Sequence, residues 1–403
     1  MSLSETDALL AEANRCVACG LCVPRCPTYR QTLLESDSPR GRVMLMKGVL
    51  EGRLPLNARF VQHIELCLTC RACERACPSR VAFGSLVDGV RERIEQTLRP
   101  RRPWSVRLLK RFVASPARLA LLSRGARVLS GSRLGRRVGL PGNRDAWGRG
   151  ARMPTRANYP ARGPERGRVS LFLGCVARAW DAETLSASVF VLNRLGYTVV
   201  VPPGQVCCGA LHQHTGELAQ AHALAQKNRS VFADAGLPVL STASGCGATL
   251  SEYEGKGAAG AFSHMDIHAF LDRSEGWEGI ERAPLSATIA VHEPCTLRNV
   301  LRGESHVYGL LGRVPGARIV PLEGNDQCCG AAGTYFLTEP AMAGRLRDDK
   351  IEAIAKSGAQ YVVTANVGCR VWLAHGLAAR GLDLPVVHPV TLIAQTLGFK
   401  GRC

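Results

Sequence analysis

The stretch Cys16-Val-Ala-Cys19-Gly-Leu-Cys22-Val-Pro-Arg-Cys26-Pro27 returns later in the chain as Cys67-Leu-Thr-Cys70-Arg-Ala-Cys73-Glu-Arg-Ala-Cys77-Pro78. Both copies read C-x2-C-x2-C-x3-C-P. Three thiolates at this spacing lie on one tight loop and can reach three corners of a cubane metal cluster. The fourth cysteine is held away from its own loop by the proline turn. The spacing therefore predicts that each motif shares its fourth cysteine with the cluster of the other motif.

This spacing is the one with which thiolates hold 4Fe-4S clusters. Structural zinc is the alternative, but zinc motifs are usually cysteine pairs separated by a longer loop, so zinc is disfavoured. We predict two 4Fe-4S clusters. The predicted ligands are Cys16, Cys19, Cys22 and Cys77 for cluster 1 (the cluster 1 set), and Cys67, Cys70, Cys73 and Cys26 for cluster 2 (the cluster 2 set).

The composition is that of a globular protein of two or three domains, with 403 residues of which 46% are hydrophobic. The sequence has no run of about 18 apolar residues, and its start lacks the basic and apolar regions of a signal peptide. Eight of the 17 cysteines lie in motifs that require free thiolates, which indicates a reducing compartment. We therefore expect a cytoplasmic protein.

Helical patterns surround the two motifs. Residues 1–15 are predicted to form a short helix, and the stretch from Pro39 to Leu50 opens with proline and continues with apolar residues at helical spacing. A long helical insert between the motifs favours an all-helical two-cluster ferredoxin domain, predicted to span residues 1–98.

A basic linker is predicted over residues 99–167. Residues 99–168 contain nineteen Lys or Arg and two acidic residues, which is +17 of the formal +18 of the whole chain. The linker shows no sign of strand structure. It begins with an amphipathic helical pattern, in which Trp104, Leu108 and Phe112 share one face and Arg107, Lys110 and Arg111 lie elsewhere.

Three interpretations of this helix stay open: contact with an anionic membrane surface, packing against a partner subunit, or a solvated surface helix. We expect no nucleic-acid partner, because no recognised binding motif accompanies the charge. A peripheral position on the inner face of the cytoplasmic membrane follows from the first interpretation.

From Arg168 onward, short β-branched runs alternate with helical stretches, as in parallel βα units. The pattern occurs twice. Cys175 and Cys295, Cys207-Cys208-Gly209 and Cys328-Cys329-Gly330, Cys246 and Cys369, and His264 and His388 correspond at offsets of 120 to 124. We predict two α/β cysteine-rich repeats, a first repeat over residues 168–283 and a second repeat over residues 284–403.

In each repeat two cysteines follow parallel strands, and the Cys-Cys pair is predicted to open a helix. Ligands of open α/β sheets collect at the carboxyl ends of the strands, so the four thiols of one repeat should converge there. They would bind a further cluster or metal ion; buried structural cysteines are the alternative. The two sets are Cys175, Cys207, Cys208 and Cys246 in the first repeat, and Cys295, Cys328, Cys329 and Cys369 in the second. Cys403 stands outside both.

The combination of two cluster motifs, a basic linker and two Cys…CCG…Cys repeats resembles the iron-sulfur subunits of flavin dehydrogenases. It is most similar to the glycolate oxidase iron-sulfur subunits of bacteria. The stretches that carry this resemblance include Pro39-Arg-Gly-Arg42, Thr242-Ala-Ser-Gly-Cys246-Gly, Cys328-Cys329-Gly330-Ala-Ala-Gly-Thr334-Tyr, Leu346-Arg-Asp348 and Val363-Thr-Ala-Asn-Val-Gly-Cys369. The corresponding subunits of glycerol-3-phosphate and D-lactate dehydrogenases are similar alternatives.

The resemblance implies an α+β multidomain protein that passes electrons from flavin-containing dehydrogenase subunits to a quinone or another respiratory acceptor. The chain would be part of a 2-hydroxy-acid dehydrogenase without being catalytic alone, in agreement with its lack of a G-x-G-x-x-G fingerprint after a strand. The repeats are also similar to the catalytic subunit of heterodisulfide reductase. A thiol-disulfide reductase is therefore a competing hypothesis, although neither Cys246 nor Cys369 begins the C-x-x-C of that family.

Overall fold

A computed structural model describes residues 3–99, 104–106, 108, 153–233, 236–253 and 262–401. No helix of these residues is long and apolar enough to cross a membrane. Most of the predicted linker, including Phe112, lies outside the described residues. Of its predicted apolar face, Trp104 and Leu108 are described, and both side chains are exposed.

The N-terminal part is helical, as predicted. Its helices are α1 (Leu3–Asn14), α2 (Pro27–Thr32), α3 (Pro39–Leu50), α4 (Ala58–Glu65), α5 (Ala72–Arg75) and α6 (Phe83–Leu98). Ser38 caps α3 by accepting a hydrogen bond from the backbone N–H of Gly41, and Pro39 at the first helical position suits the fixed φ of proline. The apolar faces of α3, α4 and α6 form one core around Met46, Ile64 and Leu86.

The first repeat contains a five-stranded sheet in the order β1-β3-β2-β4-β5. Its strands are β1 (Asn158–Tyr159), β2 (Gly167–Phe172), β3 (Tyr197–Val200), β4 (Val239–Ser241) and β5 (His264–Asp266). All neighbours pair in parallel except β1, which is antiparallel to β3. The helices are α7 (Val176–Trp180), α8 (Ala182–Arg194), α9 (Ala210–Gln213), α10 (Leu218–Ala233), α11 (Ser244–Ser251) and α12 (Ile267–Arg273).

The second repeat contains a four-stranded parallel sheet in the order β7-β6-β8-β9. Its strands are β6 (Thr288–His292), β7 (Arg318–Pro321), β8 (Tyr361–Thr364) and β9 (Val386–Val387). A π-helix (Leu297–Leu301) follows β6. The α-helices are α13 (Glu304–Leu311), α14 (Tyr335–Thr338), α15 (Pro340–Lys356), α16 (Val367–Ala379) and α17 (Pro389–Thr396). Apart from β1, the two sheets have the same strand order, which confirms the predicted internal repeat of parallel βα units.

The two repeats share one hydrophobic core. Val191 and Leu192 of α8 belong to the same buried cluster as Val390 and Ile393 of α17. The hydroxyls of Thr184 and Thr391 lie 3.1 Å apart across this contact. A continuous core of this kind resists independent movement of the two sheets.

Three expectations need correction. The linker prediction fails at its C-terminal end, because Asn158–Tyr159 pair with β3 as an edge strand. His264 does not correspond to His388. Asp266, which opposes Ser241 at the end of β5, and His388, which directly follows β9, each cap the next helix. Asp266 is therefore the residue that matches His388. The Cys-Cys pair opens a helix in the first repeat only, since α14 starts at Tyr335, well after Cys329.

Candidate metal centres

The two cluster motifs fold into loops of the same shape. Ala18 and Gly20 of the first loop have φ values of 54° and 83°, and Thr69 and Arg71 at the matching positions have 52° and 57°. Left-handed backbone at alternating positions curls a loop and turns successive N–H groups inward, which suits an anionic group at its centre. The backbone N–H of Thr69 donates to the sulfur of Cys67 at 3.4 Å.

The structure brings together the two predicted sets of four thiols. One cavity is lined by Cys16, Cys19, Cys22 and Cys77. A second cavity is lined by Cys26, Cys67, Cys70 and Cys73. Each set therefore joins three cysteines of one motif to the fourth cysteine of the other, although the assignment of these thiols as cluster ligands stays a prediction.

Two buried arginines, which the sequence analysis did not assign, surround the cluster 2 set. Arg42 is 1% exposed and donates to the carbonyl of His63 at 2.7 Å, to the hydroxyl of Thr28 at 3.0 Å and to the sulfur of Cys26 at 3.8 Å. Arg91 is 3% exposed and donates to the carbonyl of Cys67 at 2.6 Å. Buried guanidinium groups require anionic partners, which thiolates can supply.

In the first repeat Cys175, Cys207 and Cys208 belong to one cluster of buried side chains, and the partly buried Cys246 packs against it. The sulfurs of Cys175 and Cys207 lie 3.6 Å apart. The Tyr253 hydroxyl donates to the carbonyl of Cys208 at 2.7 Å. The backbone N–H of Gly209 donates to the sulfur of Cys207 at 3.5 Å. The predicted convergence of these thiols is present, while their role as metal ligands remains to be tested.

In the second repeat the four thiols form two neighbouring pairs. The sulfurs of Cys295 and Cys328 lie 3.9 Å apart, and Cys329 and Cys369 share another buried cluster. The backbone N–H of Gly330 donates to the sulfur of Cys328 at 3.4 Å. Gly330 has a φ of 84°, and a Cβ there would approach the carbonyl oxygen of Ala343 to 2.6 Å. Only glycine therefore fits this turn against α15.

The second repeat packs directly on the loop of the second cluster motif. Leu68 belongs to one buried cluster with Cys328 and Tyr335, against which Cys70 and Cys295 pack. The Asn299 side chain donates to the carbonyl of Cys70 at 2.8 Å. The cluster 2 set and the second-repeat thiols are therefore adjacent sites.

Burial makes several of the thiols reluctant to ionise. It raises the pKa of Cys22 to about 11 and holds the pKa of Cys70 and of Cys73 well above the ordinary value. In the first repeat, hydrogen bonding with Cys207 and Cys246 and burial raise the pKa of Cys208. Metal ligation requires the thiolate form, so a bound cation has to offset this cost.

The residues present fit metal clusters. All sixteen cysteines of the described residues are free thiols. Sulfur-lined cavities, N–H groups donating to sulfur and nearby buried cations are the features that hold and tune iron-sulfur clusters. The donor sets therefore suit 4Fe-4S clusters in the two motif cavities and a thiophilic metal or cluster in the repeats.

The sequence did contain a signal for the missed arginines. Arg42 lies in the buried face of α3 together with Val43 and Met46, and Arg91 lies in the buried face of α6. A charged residue in an apolar helical stripe indicates a buried partner. His292, the buried last residue of β6, was also missed.

Comparison with family models and with known proteins agrees with this arrangement. Residues 12–81 match a 4Fe-4S dicluster domain, and residues 169–251 and 289–374 match a cysteine-rich domain, named CCG. The chain is 34% identical to the glycolate oxidase iron-sulfur subunit of Escherichia coli, over 98% of this chain and 95% of that protein. It is 31% identical to the probable glycolate oxidase iron-sulfur subunit of Bacillus subtilis, over 96% and 95% of the two chains.

A partial relative is the lactate utilization protein A of Shouchella clausii, which is 29% identical over 58% of this chain and 99% of its own length. The fold and the thiol sites thus define an iron-sulfur protein with a dicluster domain and two cysteine-rich domains. Within that class, the chain belongs to the family of glycolate oxidase iron-sulfur subunits.

Proposed function

We propose that this chain is the electron-transfer subunit of a glycolate oxidase complex, and that it carries electrons from a flavin-containing partner subunit to a quinone or another respiratory acceptor. The observation that carries the proposal is the pair of thiol-lined cavities at the two cluster motifs. When bound there, two 4Fe-4S clusters would accept and release single electrons. The chain would belong to the oxidoreductase complex while the 2-hydroxy acid binds elsewhere.

The cluster 1 set faces solvent and provides the contact for the flavin-containing partner. Cys19 is exposed, and the neighbouring Val17 and Leu21 are 68% and 58% exposed. Leu33 and Leu34 add further exposed apolar surface. Exposed apolar residues beside a redox site suit a partner surface, because a partner that covers them brings its own redox group close.

The cluster 2 set is buried against the second repeat, and the contacts of Leu68, Cys70 and Asn299 support a role of that repeat as the next redox or metal site. The arginines Arg42 and Arg91 would hold the loop and balance the negative charge of thiolates. Along the proposed path of the electrons, the cluster 1 set would therefore lie beside the flavin-containing partner, and the cluster 2 set beside the second repeat.

A thiol-disulfide reductase is the second candidate, and the close pair Cys175 and Cys207 favours it. The hydrogen bond from Cys175 also holds the pKa of Cys207 well below the ordinary value. Cys207 is nevertheless buried, whereas a reactive cysteine must be accessible to its substrate. We therefore rank electron transfer first.

The test is anaerobic purification of the tagged chain from its native host with identification of the polypeptides that accompany it. We expect flavin-containing subunits and a complex that reduces a quinone analogue with glycolate faster than with D-lactate or glycerol 3-phosphate. Preference for either of the other two substrates would assign the chain to that dehydrogenase. A colourless chain that purifies alone with zinc and does not bleach with dithionite would contradict electron transfer.

Disulfide-reductase activity that is lost in Cys208→Ala or Cys329→Ala, with the iron of the dicluster domain intact, would favour the second candidate.

The basic linker is proposed to hold the complex on the inner face of the cytoplasmic membrane. The exposed side chains of Trp104 and Leu108, at 72% and 43%, support this role, because aromatic and aliphatic side chains can enter the headgroup region beside basic residues.

A further inference from the structure

A buried histidine points into the thiols of the second repeat. His292 ends β6 and is 2% exposed. Its Nδ1 lies 2.9 Å from the hydroxyl oxygen of Thr364. Its Nε2 is buried and has no hydrogen-bond partner within the described part of the chain. Buried polar atoms without a partner are rare in folded proteins, so this nitrogen indicates a ligand.

The position of the free nitrogen suits metal coordination. The ligand atoms of His292, Cys329 and Cys369 all lie within 4.8 Å of one another. When Nδ1 carries the proton and donates a hydrogen bond to the hydroxyl oxygen of Thr364, the lone pair of Nε2 is left for a metal. This arrangement orients histidine ligands in proteins. Thr364 would then be a positioning residue.

We propose that His292 is a metal ligand, and that with Cys329 and Cys369 it holds a thiophilic metal, iron or zinc, in mixed imidazole and thiolate coordination. The proposal rests on the proposed metal binding by the cysteine-rich repeats. Imidazole and thiolate together suit both of these metals. One thiol of the neighbouring pair Cys295 and Cys328 would complete a four-coordinate site.

The first repeat cannot form the same site. His292 opposes Thr364 in the pairing of β6 and β8, and Phe172 opposes Ser241 in the matching pairing of β2 and β4. Phe172 therefore occupies the position of the histidine, and its ring packs 6.1 Å from that of Phe232. A phenyl ring offers no ligand atom. The two repeats, although alike in fold and in cysteines, thus have different donor sets.

A buried lysine gives a second difference between the repeats. Lys350 of α15 is 2% exposed and donates to the carbonyl of Gly324. The close contacts of Gly209 with Ala221 and of Gly330 with Ala343 align α10 with α15, and this alignment puts Asn228 at the position of Lys350. A buried ammonium group beside cysteines stabilises thiolates, because opposite charges attract strongly away from water. Asn228, the matching residue of the first repeat, carries no charge.

The experiment uses the full chain, purified anaerobically with its partner subunits. Metal analysis first counts zinc, and iron beyond the roughly eight atoms of two 4Fe-4S clusters. If zinc is found, zinc X-ray absorption should show nitrogen at about 2.0 Å in addition to sulfur at about 2.3 Å. If extra iron is found, pulsed EPR of protein labelled with 15N-histidine should show a directly coordinated nitrogen.

Two variants test the assignment to His292. His292→Phe introduces the residue of the first repeat and should remove the nitrogen signal together with the extra metal. His292→Cys provides a replacement thiolate and should retain the metal but lose the nitrogen signal, so a folding defect in the first variant does not decide the outcome. His264→Phe removes a histidine bonded to Ser241 in the first repeat and should retain the nitrogen signal.

Sulfur-only coordination of the extra metal in the wild type, or a nitrogen signal that persists in both His292 variants, would overturn the role of His292 while leaving metal binding by the repeat intact. Absence of any zinc or extra iron from the wild type would overturn the proposed metal binding by the repeats as well. Iron in the dicluster domain and electron transfer through it would be unaffected by either result.

Discussion

The guanidinium group of Arg42 donates a hydrogen bond to the sulfur of Cys26 at a distance of 3.8 Å, and Arg42 is only 1% exposed. This contact joins the helix between the two motifs to a cysteine that belongs to the first motif in sequence and to the second cavity in space. The carboxylate of Asp37 lies 3.7 Å from Arg42 and also contacts Nδ1 of His63 at 2.8 Å. The buried cation is therefore placed to act on whatever the cluster 2 set binds.

Replacing Arg42 should change a reduction potential. A unit charge about 6 Å away at an effective dielectric constant of about 20 contributes roughly 3 kcal/mol, or on the order of 100 mV for one electron. We expect Arg42→Met to lower one cluster potential by up to this amount, because loss of a cation disfavours the added electron. Arg42→Lys, which keeps the charge, is the control for an EPR-monitored redox titration. Equal potentials in all three proteins would exclude the electrostatic role.

The exchange of the fourth cysteine between motifs can be tested by a matched pair of variants. Cys26→Ser should damage the cluster held by Cys67, Cys70 and Cys73. Cys77→Ser should damage the cluster held by Cys16, Cys19 and Cys22. Each variant removes the cysteine that one motif contributes to the cluster of the other motif. Iron should fall from about eight toward about four atoms per chain in each variant. EPR spectra in which Cys26→Ser damages only the cluster held by Cys16, Cys19 and Cys22 would show that the assignment is wrong.

If the cysteine-rich repeats bind metal, substitution of their cysteines should remove that metal. In anaerobically prepared protein, the double variant Cys208→Ala, Cys329→Ala should lose the zinc, or the iron in excess of about eight atoms, that the wild type contains. The cluster iron of the dicluster domain should remain, because the thiols that line its two cavities are unchanged. Elemental analysis with a protein assay measures both. Unchanged metal content would leave these thiols a structural role alone.

The basic linker should bind anionic membranes. Each basic residue near an anionic surface contributes about 1 kcal/mol, so changing Arg107, Lys110 and Arg111 to Gln should weaken binding by roughly 100-fold at moderate salt. Sedimentation with anionic and neutral liposomes, with and without partner subunits, measures this effect. Membrane binding should also decrease as the salt concentration rises, because screening limits the range of surface charges to about 8 Å at physiological ionic strength.

Equal binding to both lipids, unaffected by salt and by the three substitutions, would exclude the electrostatic membrane contact. If association with the partner subunits were also unchanged, the linker would be only a solvated connector. Liposome binding and association with the partner subunits together show whether the linker recognises the membrane or the partner.

Much of the arrangement could be predicted because it is encoded locally. The spacing of Cys16, Cys19 and Cys22 determines a loop, and the recurrence of Cys207-Cys208 at Cys328-Cys329 is enough to identify the repeat. Apolar periodicity likewise predicted α3. In these cases the residues that determine the geometry are close together in sequence or occur twice.

Other features depend on contacts between distant segments. Asn299 meets Cys70 only after the second repeat has packed on the dicluster domain, and no periodicity encodes that contact. Asn158 and Tyr159 become a strand because β3 offers them an open edge. The strand register shows that Asp266 corresponds to His388. The sequence alone does not show it, because His264 happens to lie at a similar offset from His388.

In the proposed complex, electrons from a 2-hydroxy acid reach the clusters of this chain. The most direct measurement is freeze-quench EPR of the anaerobic complex, purified with its partner subunits and mixed with glycolate. Signals of reduced 4Fe-4S clusters should develop at least as fast as steady-state turnover, and Cys67→Ser should remove part of them. Clusters that dithionite reduces but glycolate leaves oxidised, in a complex whose flavin is reduced by glycolate, would contradict this electron transfer.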